Sequence, residues 1–360
     1  MIDLTLIPDG GLAWLDASGP LSHIVLSTRI RLARNLEGVA FAGRGSSEQR
    51  EGVLAAVEAA WQNCSSGRGG ARFAIAELDA VERQLLHERH LVSKELLASS
   101  AERGADGAAA VFLSGALGVM VNEEDHLRLQ SMASGFALSA AYASLERLDQ
   151  ELGASLPFAF HPEFGYLTAC PTNAGTGLRA SVLIHLPGLV LTKEISKVLQ
   201  GLTQVGLTFR GLYGEGSEVV GNFFQLSNQT TLGKSEEELL DHLGKIVRQV
   251  VQYEEQARQV LLRDAPTIIE DKVWRAYGLL RYARSLSFDE AMNLLSGVRL
   301  GVGLKLISGL SVYTLNKLLI FTQPAHLAAT VPRSANDPEL RAARAAYVRR
   351  LLDEEAGQAA

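Results

Sequence analysis

Apolar and polar positions along this chain change period several times. Ile24 to Arg34 alternates, which predicts a half-buried strand. Glu48 to Gln62 and Leu78 to Leu97 place apolar residues at helical spacing. Val111–Leu113 and Ala116–Val121 flank Ser114-Gly115, a hairpin signal. One long helix is expected from about Leu127 to Leu152, then mixed loop and strand from Pro157 to Pro171. Ala180–Leu186, Val205–Arg210 and Val219–Leu226 read as further strands, and from Ser235 onward almost everything follows the helical period. Residues 1–22 form an irregular lead-in, and Glu354–Ala360 a frayed end. The pattern predicts an α+β fold, an antiparallel sheet flanked by helices in residues 1–254, followed by a helical C-terminal domain in residues 255–360.

The strands carry an unusual polar face. Residues i and i+2 of a strand share a side of the sheet. Within residues 27–32, Ile30 and Leu32 take one side and Arg29 and Arg31 the other. Ala180, Val182, Ile184 and Leu186 likewise leave Arg179 opposite the core, and Val205, Leu207 and Phe209 leave Arg210 opposite. A solvated sheet face ordinarily mixes Lys, Glu, Thr and Arg, and clustered guanidiniums repel unless an anion joins them. Arginine forms forked hydrogen bonds with phosphate oxygens. A polyphosphate site on the open face of the sheet follows.

Composition narrows the classes. A net charge of −6 argues against a general nucleic-acid binder. Cys64 and Cys170, the two cysteines, form no C-x-x-C pair, which argues against a disulfide scaffold or a zinc site and fits a reducing cytosol. Residues 1–8 lack the basic start and apolar core of a signal peptide, and no run is long enough to span a membrane, so a cytoplasmic location is expected.

Directly after the apolar run Ala116–Val121 come Asn122, Glu123, Glu124, Asp125, His126, Leu127 and Arg128. Charge held at the mouth of a buried strand suits chemistry more than solubility. Other motifs fail. Residues 228–235 fall short of a phosphate-binding P-loop because Asn228 stands at its first glycine, and Ser235 with Glu238 reads as a helix capping box. Gly214–Glu218 is no serine-nucleophile elbow. His161 and Glu163 lack metal-ligand spacing and read as a polar pair.

Taken together, N-E-E-D-H-L-R at 122–128, C-P-T-N-A-G-T at 170–176, G-L-R-A-S-V-L-I-H-L-P at 177–187, R-G-L-Y-G-E at 210–215, S-T-R-I-R at 27–31 and E-R-H-L at 88–91 resemble the phosphagen kinase superfamily, and most of all its bacterial protein-arginine kinase branch. The resemblance implies a catalytic domain of the phosphagen kinase and glutamine synthetase-like type that moves the γ-phosphoryl group of ATP, with Mg²⁺ carried by the nucleotide and no metal ligand from the protein. It implies that Arg29, Arg31, Arg128, Arg179 and Arg210 hold the phosphates, with His90 on the nucleotide. Ser27, Thr28 and Ile30, then Ala180, Ser181, Val182 and Leu183, then Gly211, Leu212, Tyr213 and Gly214 complete the nucleotide-binding stretches. Glu124 matches the catalytic carboxylate, with Glu123 beside it, and Glu215 a second carboxylate on a mobile loop that grips the guanidinium. Cys170 matches a reactive thiol beside the substrate, with Asn173 close by, while Asp125 and His126 support that corner.

The branch is suggested by what precedes Ser27. Kinases of free arginine or creatine carry a longer helical domain there, whereas about two dozen residues stand here, leaving room for a large acceptor. The implied partners are arginine-bearing protein substrates, an activator protein, a regulated protease and a second copy in a homodimer, with neither nucleic acid nor membrane. That branch often carries R-D-x-x-R-A, a phosphoarginine pocket. Here Arg344 and Ala345 match it, but Leu340 and Arg341 replace its first two residues, so 337–352 reads as a plain amphipathic helix. Two alternatives accompany this reading: a kinase of free arginine or another small guanidino compound, and a catalytically weak adaptor that recognises phosphoarginine.

Overall fold

The computed structural model describes residue 3 and residues 8–103, 108–212, 219–332 and 335–358. Its centre is an antiparallel sheet of eight strands: β1 (Val25–Arg34), β2 (Ala71–Ala74), β3 (Ala110–Ser114), β4 (Leu117–Val121), β5 (Leu127–Ser134), β8 (Leu178–His185), β9 (Leu207–Arg210) and β10 (Phe223–Asn228). They run in the order β2-β3-β4-β5-β1-β8-β10-β9, and a separate hairpin joins β6 (Phe160–His161) to β7 (Gly165–Tyr166). The helices of this part are α1 (Ser47–Asn63), α2 (Ala80–Glu88), α3 (Lys94–Arg103), α4 (Leu138–Gly153), α5 (Pro187–Leu191), α6 (Ile195–Gln204) and α7 (Glu236–Asp264). After them come α8 (Pro266–Tyr282), α9 (Phe288–Gly303), α10 (Val312–Phe321), α11 (Pro324–Ala328) and α12 (Asp337–Gln358). Residue 255 lies inside the continuous helix α7.

The two-residue period decides which face is covered. Ile30, Leu32, Leu129, Ala180, Val182 and Leu226 bury against Val57 of α1, Leu145 and Leu148 of α4 and Val247 of α7. Each fully buried Val, Leu or Ile side chain here contributes about 1.5–3 kcal/mol. A second core joins α8, α9, α10 and α12 through Ile269, Met292, Leu318 and Val348, and it includes Leu183 and Phe223 of the sheet. The helical part therefore shares apolar packing with β8 and β10. Ser235 and Glu238 form the expected capping box at the start of α7.

Two expected helices are corrected. Leu127 to Leu152 is a strand, a turn and a helix, because Leu127 and Leu129 pair into the sheet between β4 and β1. Gly135, at φ 62°, turns the chain into α4. The other, Leu78 to Leu97, is broken after Glu88 into α2 and α3 by contacts far away in sequence. Glu88 accepts from the backbone N–H groups of Ala325 (2.9 Å) and His326 (3.1 Å) at the start of α11, and from His326 Nδ1 (2.8 Å). Arg89 donates to His326 Nε2 (3.1 Å) and to the Gly10 carbonyl (2.6 Å). Neighbours 88 and 89 thus face the helical part, and His90 turns the other way at φ 60°.

Arg34, at the end of β1, is fully buried and welds several elements. Its guanidinium makes two hydrogen bonds to Asp149 (3.0 and 2.8 Å), donates to the carbonyls of Ala33 and Thr176 (2.9 Å each), and stacks over the Tyr166 ring at 3.5 Å. Removing one partner of such a pair strands the other charge. Arg34→Ala is expected to cost about 3–5 kcal/mol, read as a fall in the urea midpoint. A cost below about 1 kcal/mol would show the pair to be solvated.

Candidate active site

Across the sheet from the helices lies a cleft of about 530 Å³. Arg29 and Arg31 reach it from β1, Arg128 from β5, Arg179 from β8 and Arg210 from β9. Register explains the convergence. Arg31 sits directly opposite Arg179, Ala33 opposite Arg128, and Arg210 opposite Gln225 of β10. Arg29 donates to Gln225 Oε1 (3.1 Å), and Arg179 to Ser227 Oγ (3.3 Å).

Burial and mutual repulsion both act on the guanidiniums of this face. Burial, then the charges of Arg179 and Arg128, bring Arg29 down to about 10. Arg31 is pushed well below the usual arginine range by burial and by Arg29, Arg128 and Arg179, with Glu123 opposing. Its Nε, buried, meets no hydrogen-bond partner among the described residues. Such an arrangement favours a multiply charged anion. His90 lines the cleft from the turn between α2 and α3. Burial and Arg29 hold its imidazole neutral, while its carbonyl accepts from Gln130 Nε2 (2.7 Å).

The acidic run separates into distinct roles along one turn. Asn122, at φ 59°, closes it through its N–H to the His126 carbonyl (2.9 Å). The Glu123 side chain is 0% exposed, bonded to Arg128 Nη1 (2.5 Å) and to the Ser93 hydroxyl. Glu124 is 43% exposed, lines the cleft, and lies 3.5 Å from Arg128 Nη2. Burial in the cleft wall and the neighbouring Asp125 raise the Glu124 carboxyl above its usual value, with Arg128 opposing. Asp125 is buried and accepts from Asn35 Nδ2 (2.7 Å) and the Ala169 N–H (2.6 Å), so it fixes the segment that ends at Cys170. His126 Nδ1 accepts from the Leu36 N–H (3.0 Å), which leaves Nε2 to donate to the Ala40 carbonyl (2.8 Å). That tautomer is neutral, in keeping with a pKa lowered by burial.

Cys170 and Asn173 also line the cleft, with Cys170 Sγ 3.1 Å from the Thr172 hydroxyl. Ser27, Ser181, Leu183 and Leu212 surround a recess beside Arg29. Thr28, Ile30, Ala180 and Val182, grouped by sequence with the nucleotide contacts, point away from the cleft as the strand period requires. Ile30, Ala180 and Val182 sit in the core, and Thr28 Oγ1 donates to the Gly135 carbonyl (2.7 Å) and accepts from the Ala137 N–H (3.0 Å). Gly211 follows β9, whereas Tyr213, Gly214 and Glu215 lie outside the described residues. Arg344 is remote and buried. Its Nε donates to the Thr322 carbonyl (2.7 Å) and its Nη1 to the Leu286 carbonyl (2.9 Å), which uses the guanidinium to bind α12 to its neighbours. Sequence reasoning missed Gln225, Ser227 and Ser93. The first two were available from the i, i+2 rule applied to residues 223–228, and Ser93 carried no local signal.

No helix among the described residues is long and apolar enough to cross a membrane. Residues 53–257 match the family model for the ATP:guanido phosphotransferase C-terminal catalytic domain, and residues 266–360 that for the protein-arginine kinase McsB C-terminal domain. The chain is 46% identical to a protein-arginine kinase of Symbiobacterium thermophilum, over 94% of this chain and 96% of that one. It is 44% identical to one of Pelotomaculum thermopropionicum over 94% of each. Among solved structures, the duplicated taurocyamine kinase of Schistosoma mansoni with bound transition-state analogue components superposes with a TM-score of 0.61 at 28% identity. That match covers 71% of this chain and 35% of that longer one. A lombricine kinase superposes at 0.57, with 26% identity over 67% of this chain and 70% of that one.

Proposed function

The chain belongs to the ATP:guanido phosphotransferase family, in its protein-arginine kinase branch, and we propose that its arginine-lined cleft transfers the γ-phosphoryl group of ATP to guanidinium nitrogens of arginine residues in proteins. The observation that carries this reading is the convergence of five guanidiniums on one open sheet face with a half-exposed carboxylate at its edge.

The chemistry follows from the acceptor. Arginine's pKa lies above 12, so a neutral guanidine at pH 7 costs about 7 kcal/mol. Glu124 cannot deprotonate it in advance. It can hold the nitrogen in line and take the proton as the N–P bond forms and the bond from the γ-phosphorus to the bridging oxygen breaks, releasing ADP. Arg29, Arg31, Arg128, Arg179 and Arg210 would bind the phosphates and stabilise charge on the transferring group. Mg²⁺, brought by the nucleotide, would share that neutralisation. Glu123 would act through Arg128, holding it in place, and Cys170 and Asn173 would flank the acceptor. Glu215 would serve as a second carboxylate for the guanidinium.

By resemblance, the enzyme would work in the cytoplasm as a homodimer, with an activator protein and a link to regulated proteolysis. A catalytic part in residues 1–254 and a helical part in residues 255–360 would share α7. The small-guanidino reading is favoured by the likeness to taurocyamine and lombricine kinases. Incubation with ATP and either a protein such as casein or free arginine, scored by acid-labile phosphate, separates the two. Phosphoarginine is expected on the protein. Phosphorylation of free arginine alone would overturn the proposal.

A further inference from the structure

The β6–β7 hairpin stands against the 170–177 segment, whose Cys170 and Asn173 line the cleft, and carries apolar surface that the core does not use. Phe160 is 60% exposed, Phe164 at the hairpin tip 45%, and Leu232 52%. Single exposed apolar side chains are ordinary, but Phe160 and Leu232 line the same groove, of about 360 Å³. Carboxylates of Glu163, Glu236 and Glu238 border it against one ammonium, that of Lys234.

Two features separate this groove from a loose surface fold. It is held rigidly. Phe160 pairs with Tyr166 across the hairpin and packs edge-on against its ring (5.3 Å), and Tyr166 is fixed under Arg34 and by its N–H to the Gly175 carbonyl (2.8 Å). It is also continuous with the cleft. Thr231 Oγ1 donates to the carbonyls of Thr172 (3.2 Å) and Ala174 (2.5 Å), so the segment 170–177 is a common wall. Asn173 lines the cleft and Gly175 the groove, two residues apart and hence within about 7 Å along the chain.

We propose that this groove docks the polypeptide carrying the target arginine. An extended chain advances about 3.3 Å per residue, so the distance fits an apolar side chain roughly two to four residues from the arginine. The acidic rim favours basic over acidic residues around it. A preformed aromatic anchor costs little ordering on binding. A small guanidino compound has nothing to place there, which makes the groove a determinant of protein over free acceptor. This rests on the protein-arginine kinase reading.

The test is steady-state kinetics of the full chain carrying Phe160→Ser and Leu232→Ser together. Acceptors are a long peptide with one arginine flanked by leucine and lysine, and a capped single arginine. The KM for the peptide is expected to rise about tenfold or more, with its kcat, the KM for ATP and the kinetics on capped arginine unchanged. Glu163→Lys with Glu236→Lys is expected to raise the KM for the basic peptide and lower it for one flanked by aspartates. An unchanged peptide KM, an equal rise for both acceptors, or a different molar mass by sedimentation would overturn the proposal, the last because the patch would then join two copies of the chain. Wild-type enzyme that phosphorylates capped arginine and leaves the peptide untouched would overturn the protein-acceptor reading itself.

Discussion

Glu124→Gln is expected to lower kcat for arginine phosphorylation by about a thousandfold or more, with ATP affinity kept within a few-fold. The variant preserves shape and removes only the charge that, in the proposed mechanism, would orient a guanidinium and take its proton. Glu124 lies on the cleft side of Arg128 at 3.5 Å and is 43% exposed, so an acceptor can reach it. Glu123→Gln provides the contrast. Glu123 is buried against Arg128 and Ser93, so its loss should loosen a phosphate contact and raise the KM for ATP first. The pH profile supplies a second readout. Burial and Asp125 raise the Glu124 carboxyl above 4.5, and the proposed mechanism needs the carboxylate form. Activity should therefore be lost as pH falls through that raised value. The acid limb of kcat/KM should lie above 4.5 and be absent from any residual activity of Glu124→Gln. Full activity in that variant, measured as acid-labile phosphate on casein, would sink the catalytic assignment.

Much of this site was legible because strands obey a two-residue period. Arg29 and Arg31 separate from Ile30 and Leu32 by arithmetic alone, and Arg179 and Arg210 follow the same way. Arg128 did not, although it obeys the same rule. Leu127 and Leu129 run almost without a break into Leu138, Ala141, Leu145, Leu148 and Leu152, and the joined set satisfies a helical pattern. Gly135 was the missed signal, since its φ of 62° marks where the period changes. Pairing with β1 and β4 then settles the strand, because tertiary hydrogen bonds outweigh a weak local preference.

Other features had no local signature. The break after Glu88 is imposed by the N–H groups of Ala325 and His326, 237 and 238 residues away, and it is this break that delivers His90 to the cleft. Nor does spacing tell Glu123 from Glu124. They are neighbours in one turn, and only its backbone path puts the first under Arg128 and the second on the rim. The helical C-terminal part was legible as helices, but its shared core with Phe223 and Leu183 was not.

Arg31→Met should weaken ATP binding about a hundredfold while leaving the nucleotide-free protein as stable as before, or more stable by on the order of 1 kcal/mol. The sign of the second effect is the informative one. Arg31 is pressed by Arg29, Arg128 and Arg179, its Nε has no partner among the described residues, and burial disfavours its charge. Methionine keeps most of the stem's volume and removes a charge that the empty site holds at a cost. With ATP present the same charge should become favourable, because phosphate oxygens would accept from the guanidinium. At a ligand concentration about a hundred times the wild-type Kd, binding stabilises by about 2.7 kcal/mol. A hundredfold weaker Kd at that concentration leaves only about 0.4 kcal/mol. Thermal unfolding with and without ATP reads both effects in one experiment. The ATP-dependent rise in Tm should nearly vanish, and the Tm without ATP should hold or increase. A large fall in that second value would mean that Arg31 is tied into the fold through Glu123, and the phosphate clamp would then need another centre.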